Sequence, residues 1–436
     1  MSLDWSARLR CDVLIDHVGR RWARSYLGSS VRAPAALLLA GLVSLGPVSE
    51  AVAQPSLRIG VSISRTGAYA RLAPTLERGY QLCVRHTNEK GGVLGRMLEL
   101  VVDDDRSEPA TAARIYERLI ARDKVEAILG PYSSPLTEAV ADLAEKHQMP
   151  LVAAGAAATS IFRKGRKFVF MVLSPAEVYL DGLVDMAVRR GLRTLALLHE
   201  DTLFPRATAQ GTLALARKRG LSVVAVEAYP KGTTDFSAPL TRIRAANPDV
   251  LGAGTYFDDA VAITRQLKAL DVNPRMFAVT VGSDLPRFYE MLGRPGEFVY
   301  GTSQWEPELV ALLRGGGLVP VTRRYPGVRE FVQSYRKEYP GADLSYHAAQ
   351  GYGGCQVFVE AVRRAGSLEG PKVREAILKM DLKTVYGAFK VDPAGFQVAH
   401  QMLMFQWQDG RKVLVWPDEL ASGPPRFPTP PWSQRP

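Results

Sequence analysis

A loop of small polar residues follows the first strand that the sequence predicts. The strand is expected over Leu57–Ile63, and the loop from Ser64 to Tyr69 carries hydroxyl groups, a glycine and an aromatic ring. Loops at the carboxyl end of a strand, next to a helix N-terminus, commonly hold small polar or anionic ligands. The loop contains neither GxGxxG nor GxxxxGKS/T, which argues against a dinucleotide or a nucleotide phosphate as the ligand.

The side chains that usually carry out catalysis are not grouped in this sequence. The six histidines show no metal-ligand spacing, and neither a Ser/His/Asp grouping nor a nucleophile elbow is recognisable. We therefore expect a binding protein and not an enzyme, with no metal and no cofactor.

Alternating strands and helices position the first loop and others like it. Strands are predicted at 57–63, 98–102, 127–129 and 151–154, then at 194–199, 222–228, 250–253 and 276–279, with helices between them. This alternation indicates parallel sheets with helices on both faces. Because the cycle restarts after Ser174-Pro175, we expect two similar α/β units of about 110 residues each. A third portion contains helices and a hairpin that turns at Asp409-Gly410.

The first 53 residues have the features of a secretory signal peptide. Arginines precede the apolar segment Ala35–Leu45, which is too short to span a bilayer, and Ala51-Val52-Ala53 forms an A-x-A cleavage site. We expect cleavage after Ala53 and export of the remaining chain. An uncleaved anchor helix is the alternative.

The formal net charge is +11, with basic residues scattered among acidic ones, so no nucleic-acid surface is expected. Cys83 and Cys355 lie in apolar helical patterns that are far apart in the sequence. Export makes a disulfide possible, but two free buried thiols are the expectation.

Seven segments occur in the order typical of one protein family. They read IGVSISRTGAYA, NEKGGVLGR, VVDDDRSEP, ILGPYSSPLTEAVADLAEKHQMPLVAAGAAATS, PDVLGAGTYFDDAVAITRQLKAL, YHAAQGYGGCQVFVEAVRRAGS and MFQWQDGRKVL. Together they resemble the type I periplasmic solute-binding proteins of ABC importers, in the branch around the leucine/isoleucine/valine-binding protein. The resemblance covers nearly all of the chain after residue 53.

The resemblance implies an α/β fold of two lobes, each a parallel sheet flanked by helices, joined by a hinge of three chain crossings. We expect residues 54–174 with 283–390 to form lobe 1, and residues 175–282 with 391–420 to form lobe 2, after the signal peptide of residues 1–53. Residues 421–436 are rich in proline and are expected to form an extended strap over the surface.

The resemblance also implies ligand-binding residues in lobe 1. Ser134, Ala157, Ala158 and Thr159 match positions whose hydroxyl and N–H groups hold the ligand carboxylate. Each follows a strand and precedes a helix, where free amides favour an anion, although Ser134 and Thr159 could simply cap helices. Tyr69 matches an aromatic residue that packs on the ligand, and a surface tyrosine is the alternative.

In lobe 2, Phe204 stands where relatives commonly have tyrosine, and Tyr256 could form a wall of the pocket. Asp259 matches a carboxylate that pairs with the ligand ammonium group, with capping of the following helix as the alternative. Arg65, in the first loop, could face a second anionic group of the ligand or be solvated.

The function implied is that of a monomeric periplasmic receptor. It would capture an amino acid, such as a branched-chain amino acid, or a related small carboxylate in the cleft, close by a hinge motion, and deliver the ligand to the membrane permease of an ABC importer. An aromatic acid, a keto acid or an amide is the alternative ligand, and an ammonium-free acid is favoured if Asp259 does not face the cleft. A ligand sensor for a membrane signalling partner is the alternative role.

Overall fold

The computed structural model describes residues 54–309 and 321–435. The predicted signal peptide, residues 1–53, lies outside this part of the chain. Over the described residues, no helix has both the length and the apolar character needed to cross a membrane.

The strands and helices alternate through the first two thirds of the chain. The strands are β1 (Leu57–Ile63), β2 (Leu98–Asp104), β3 (Ala127–Leu129), β4 (Leu151–Ala153), β5 (Val169–Met171), β6 (Thr194–Glu200), β7 (Ser222–Tyr229), β8 (Val250–Gly254), β9 (Met276–Val279), β10 (Tyr300–Ser303), β11 (Leu382–Thr384), β12 (Gly387–Phe389), β13 (Leu403–Gln408) and β14 (Arg411–Trp416). The helices are α1 (Ala73–Asn88), α2 (Pro109–Ala121), α3 (Ser134–Lys146), α4 (Asp181–Arg189), α5 (Leu203–Lys218), α6 (Ser237–Ala246), α7 (Phe257–Ala269), α8 (Pro286–Leu292), α9 (Val321–Arg324), α10 (Val328–Glu338), α11 (Tyr346–Ala365) and α12 (Gly370–Leu378).

Two sheets form the frame of the protein. The first is wholly parallel, in the order β2-β1-β3-β4-β5. The second has the order β14-β13-β10-β9-β8-β6-β7, with parallel strands from β10 to β7 and an antiparallel hairpin, β13-β14, at one edge. The predicted parallel α/β architecture is thereby confirmed, and the antiparallel edge is an addition to it.

Burial on both faces explains the sequences of the central strands. Six of the seven residues of β1 and all five of β8 are buried. Parallel strands that helices cover on both faces have near-continuous apolar sequences. These apolar runs made the strands recognisable in the sequence. The β13-β14 turn at Asp409 and Gly410 has positive φ at both residues, as a tight hairpin requires, so that prediction is confirmed too.

Three short strands were not predicted. β5 and β11 have only three residues and β10 only four, too few for periodicity to distinguish a strand from a loop. β10 pairs with β9 and β13, so it belongs to the second sheet, whereas the sequence-based division placed residues 283–390 in lobe 1.

A close contact between α1 and α11 corrects the expectation of two free thiols. Cys83 and Cys355 form a disulfide, with Cα atoms 6.1 Å apart. One turn earlier in each helix lie Gly79 and Gly351, where an added Cβ atom would overlap the backbone of the facing helix. Because glycine lets the two helices touch backbone to backbone, the cysteines four residues further on come within bonding reach.

The chain passes between the two sheets three times, and one residue joins the three passages. The side-chain amide of Gln304, just after β10, accepts a hydrogen bond from the backbone N–H of Ser174 (2.7 Å) and donates one to the hydroxyl of Tyr179 (2.6 Å). The backbone carbonyl oxygen of Gln304 lies 3.2 Å from Nε2 of His400. The first, second and third crossings therefore meet at this residue.

Removal of the disulfide should destabilise the protein without changing its fold. For Cys83→Ala/Cys355→Ala in the chain 54–436, we expect the free energy of unfolding in urea to fall by about 2–4 kcal/mol, because the unfolded chain gains freedom. A reductant should lower the stability of the wild type and leave the variant unchanged. Titration of free thiols in the denatured, unreduced wild type should give none; two free thiols would contradict the pairing.

Candidate functional site

A cavity lies where the carboxyl ends of strands from both sheets face each other. About 280 Å³ of space, part of it open to solvent, lies between these strand ends. Its lining follows β3, β4 and β5 on one side and β6, β8 and β9 on the other, with the first residues of α11 at one end. The lining residues are Tyr132, Ser133, Ser134, Gly155, Ala157, Leu173, Tyr179, Phe204, Tyr256, Val281, Tyr346, His347 and Gln350. Loops after strand ends form the usual ligand site of open α/β sheets.

The N-terminus of α3 supplies hydrogen-bond donors to this cavity. Ser134 is its first residue, and its Oγ accepts hydrogen bonds from the backbone N–H groups of Ala157 (3.2 Å) and Ala158 (3.1 Å). Since both of these bonds use the oxygen as acceptor, the hydroxyl hydrogen is free to donate into the cavity. The helix dipole adds partial positive charge at the same place.

Ser133 has a backbone conformation that few residues adopt. Its φ is +86°, and its N–H is held by the carbonyl of Gly155 at 2.9 Å. Its Oγ is buried and has no hydrogen-bond partner within the described part of the chain. Such strain is maintained where the surrounding structure fixes it, and here it aims an unused hydroxyl at the cavity.

Of the residues predicted from the sequence, Ser134, Ala157, Phe204 and Tyr256 line the cavity. Ala158 is not a lining residue, but its backbone N–H donates a hydrogen bond to Ser134, which is one. Thr159 is not a lining residue either, and its hydroxyl donates a hydrogen bond to the carboxylate of Glu177.

Tyr69 is not the exposed tyrosine of the alternative prediction, because only 2% of it is accessible to solvent. Its ring lies 4.9 Å from that of Tyr256 and 5.8 Å from that of Tyr132, measured between centroids. Phe204 is 5.8 Å from Tyr256 and 4.9 Å from Tyr179.

These rings continue into α11. The ring of His347 lies 5.4 Å from that of Tyr132 and 4.1 Å from that of Tyr346. Seven rings thus follow one another, and all but that of Tyr69 line the cavity. We name them the aromatic arc: Tyr179, Phe204, Tyr256, Tyr69, Tyr132, His347 and Tyr346.

Asp259 is not among the lining residues. It occupies the first turn of α7, which begins at Phe257, so the alternative of an N-cap at Asp259 is wrong. Its Oδ2 accepts a hydrogen bond from the hydroxyl of Tyr229 (3.1 Å). Burial, and then the charge of Glu200, raise the pKa of Asp259 to about 7, and burial also raises the pKa of Glu200.

Arg65 does not face the cavity lining either. Its guanidinium group forms an ion pair with Glu77, and this hydrogen bond raises the pKa of Arg65. The Arg65 side chain is 47% exposed, so the structure places it at the surface, as the solvated alternative has it.

Sequence reasoning missed the contribution of α11 and of the strand ends around it. His347 Nε2 lies 2.8 Å from the hydroxyl of Tyr132, and its Nδ1 is 3.8 Å from Oδ2 of Asp284. Ser345 Oγ accepts a hydrogen bond from the N–H of His347 and so caps the helix. The sequence YHAAQ at the start of a predicted helix was the available signal, but nothing in it shows that this helix returns to the first sheet.

The environment of Asp259 gives a prediction for stability against pH. A carboxyl group whose pKa is raised on folding binds more protons in the folded state, so the wild type loses stability as the pH rises from about 4 to about 7. In Asp259→Asn this loss is absent. The melting temperature of the variant minus that of the wild type should therefore increase over this range and level off above it. Glu117→Gln, which removes a charge from an exposed position in α2, is the control; a difference independent of pH at Asp259 would contradict the assignment.

The chain matches known proteins over most of its length. The family model of periplasmic binding proteins matches residues 56–412. A protein named Leu/Ile/Val-binding protein homolog 7, from Brucella suis biovar 1 (strain 1330), is 27% identical over 395 residues, which cover 87% of this chain and 96% of that protein.

Two solved structures share the fold. A leucine-binding protein from Thermotoga maritima MSB8 has a TM-score of 0.72 and 25% identity, and the match covers 82% of this chain and 97% of that one. A solute-binding protein of an ABC transporter from R. palustris, in complex with benzoate, has a TM-score of 0.70 and 19% identity over 83% of this chain and 95% of that one. This chain therefore belongs to the family of periplasmic binding proteins, which bind solutes and are not enzymes.

Proposed function

We propose that this chain is the periplasmic substrate-binding component of an ABC importer. It captures an amino acid or a related small carboxylate between its two lobes and delivers it to a membrane permease. The observation that carries the proposal is the pairing of Ser134, with its free hydroxyl hydrogen, and the N-terminus of α3 at the wall of the cavity. Family membership supports the transport role and the export of the chain after Ala53.

A carboxylate buried in this cavity needs hydrogen bonds, because an unpaired charge away from water is costly. The hydroxyl groups of Ser134 and Ser133 and the free amides at the start of α3 can donate them. The backbone N–H groups of Ala157 and Ala158 hold Ser134 in place for this role. The rings of Tyr69, Phe204 and Tyr256 cover the rest of the ligand.

Capture requires that the two lobes close, and the described contacts suit such a motion. At the rim of the cleft, Arg71, before α1, forms an ion pair with Asp258 of α7 (2.9 Å). Lys231 reaches from the second lobe to the carbonyl oxygen of Ser107 (3.4 Å) and lies 5.2 Å from the ring centroid of Tyr69. These contacts join the lobes only when the cleft is closed, while the crossings at Gln304 serve as the hinge.

The test is a thermal-shift screen of residues 54–436, unfolded and refolded to remove any bound solute. Ligands that bind only the folded state raise the melting temperature by mass action. Amino acids, keto acids and simple carboxylates should include ligands that raise it, whereas the corresponding alcohols should not. If no carboxylate raises the melting temperature, the proposal fails.

Ser134→Ala should weaken the binding of any carboxylate found in this screen. Loss of a hydrogen bond to a charged group costs about 1.5–3 kcal/mol, so we expect the dissociation constant to rise by roughly 10- to 100-fold in calorimetry. Ser237→Ala is the matched control, since Ser237 is also the first residue of a helix but lies outside the cavity lining. Equal effects of the two substitutions on the dissociation constant would show that Ser134 does not contact the ligand.

The rim ion pair should contribute modestly to ligand retention. Because Arg71 and Asp258 are about half exposed, their pairing is worth roughly 0.2–1 kcal/mol and is screened by salt. Arg71→Ala should therefore accelerate ligand dissociation by up to about fivefold at low ionic strength and have little effect at 1 M salt. A double-mutant cycle with Asp258→Ala isolates the pair; additive effects would show that the two side chains do not act together.

A further inference from the structure

We propose that the ligand of this cavity is an aromatic carboxylate that lacks an ammonium group. The inference rests on the proposed function and narrows the substrate class at the same site. It follows from the distribution of charge, donors and rings around the cavity.

The first observation is the absence of an anionic group that could face a ligand ammonium. Among the residues that the structure describes, no aspartate or glutamate lines the cavity. The lining residue that follows β9 is Val281, whose apolar side chain is 4% exposed. An α-amino acid bound here would bury its ammonium group without a counter-charge, which is costly.

The acidic residues nearest to the cavity lie outside its lining. Asp259 lies beside Glu200 and accepts a hydrogen bond from Tyr229. Asp284 is fully buried behind His347, whose Nδ1 it faces at 3.8 Å, and its carboxylate oxygens form no hydrogen bond with a described residue. His347 in turn contacts the hydroxyl of Tyr132, so the imidazole ring stands between Asp284 and a ligand.

The second observation is a set of polar groups in the cavity lining that have no hydrogen-bond partner among the described residues. They are Ser133 Oγ, the hydroxyl of Tyr256 and Oε1 of Gln350, all buried. Two of these three groups are hydroxyls that can donate, and Ser133 directly precedes the free amides at the start of α3. A carboxylate accepts hydrogen bonds from the two hydroxyls, which an apolar group cannot do, whereas Oε1 of Gln350 is itself an acceptor and is not paired by a carboxylate.

The third observation is the aromatic arc. Its rings lie between 4.1 and 5.8 Å from their neighbours, with tilted or edge-to-face geometry. Leu173 and Val281 complete an apolar wall. Aromatic side chains favour offset or edge contacts with a further ring, so a flat aromatic body fits this enclosure better than a branched aliphatic one.

The experiment compares ligands that differ in one feature, by calorimetry on stripped residues 54–436. The pairs are 3-phenylpropanoate with L-phenylalanine, phenylacetate with L-phenylglycine, and 4-methylpentanoate with L-leucine. We expect each amine-free acid to bind at least tenfold more tightly than its amino acid, and the aromatic acids to bind more tightly than 4-methylpentanoate.

Each other outcome has a distinct meaning. Equal or tighter binding of the amino acids overturns the inference and leaves the proposed function intact. Tighter binding of 4-methylpentanoate than of the aromatic acids overturns only the inference that the ligand carries an aromatic ring. If none of the six compounds binds, the inference fails, and the broader screen then decides the proposed function.

A reciprocal variant tests the charge argument directly. Val281→Asp places a carboxylate in the cavity wall, and Val281→Asn, with the same shape and no charge, is its control. We expect Val281→Asp to weaken 3-phenylpropanoate binding at least tenfold relative to Val281→Asn and to improve the relative affinity for L-phenylalanine. Identical ligand preferences in the two variants would overturn the inference, and circular dichroism spectra verify that both are folded.

Discussion

The close crossing of α1 and α11 is the constraint on which the candidate site depends. Gly79 and Gly351 allow the two helices to touch through their backbones, and the disulfide one turn further holds them there. The loop with Tyr69 precedes α1, while Tyr346, His347 and Gln350 begin α11. Two segments that are distant in sequence are thereby fixed on the same side of the cavity, which a looser helix contact would leave free to shift.

Several buried polar groups at the site have no hydrogen-bond partner among the described residues. Buried polar groups in folded proteins are nearly always hydrogen-bonded, and each exception calls for an explanation. Here Ser133, Tyr256 and Gln350 carry atoms without hydrogen-bond partners at one cavity, and Ser133 also has a positive φ of +86°. A ligand that supplies the missing partners removes these costs on binding. The same hydrogen bonds to these groups then determine both the affinity and the specificity of binding.

Much of the fold could be predicted because parallel strands buried on both faces leave a strong apolar signal, as in β1 and β8. The site residues on the first strand ends could be placed as well, since Ser134 follows a strand and starts a helix. The rest depends on contacts between distant segments. The disulfide needs the glycine-mediated helix crossing, and His347 and Gln350 join the site only because α11 returns to the first sheet. Asp259 has the expected residue type near the expected place, but it is not in the cavity lining and accepts a hydrogen bond from Tyr229.

The disulfide has a topological consequence as well. It joins residues 272 positions apart, and every parallel strand of the second sheet lies in the covalent loop that it closes. A protease that cuts one peptide bond in this loop opens it but does not divide the protein into two molecules. The fragments remain linked beside the cavity, at the junction of α1 and α11. In a compartment with proteases and without a reducing thiol pool, a nicked receptor thus stays in one piece.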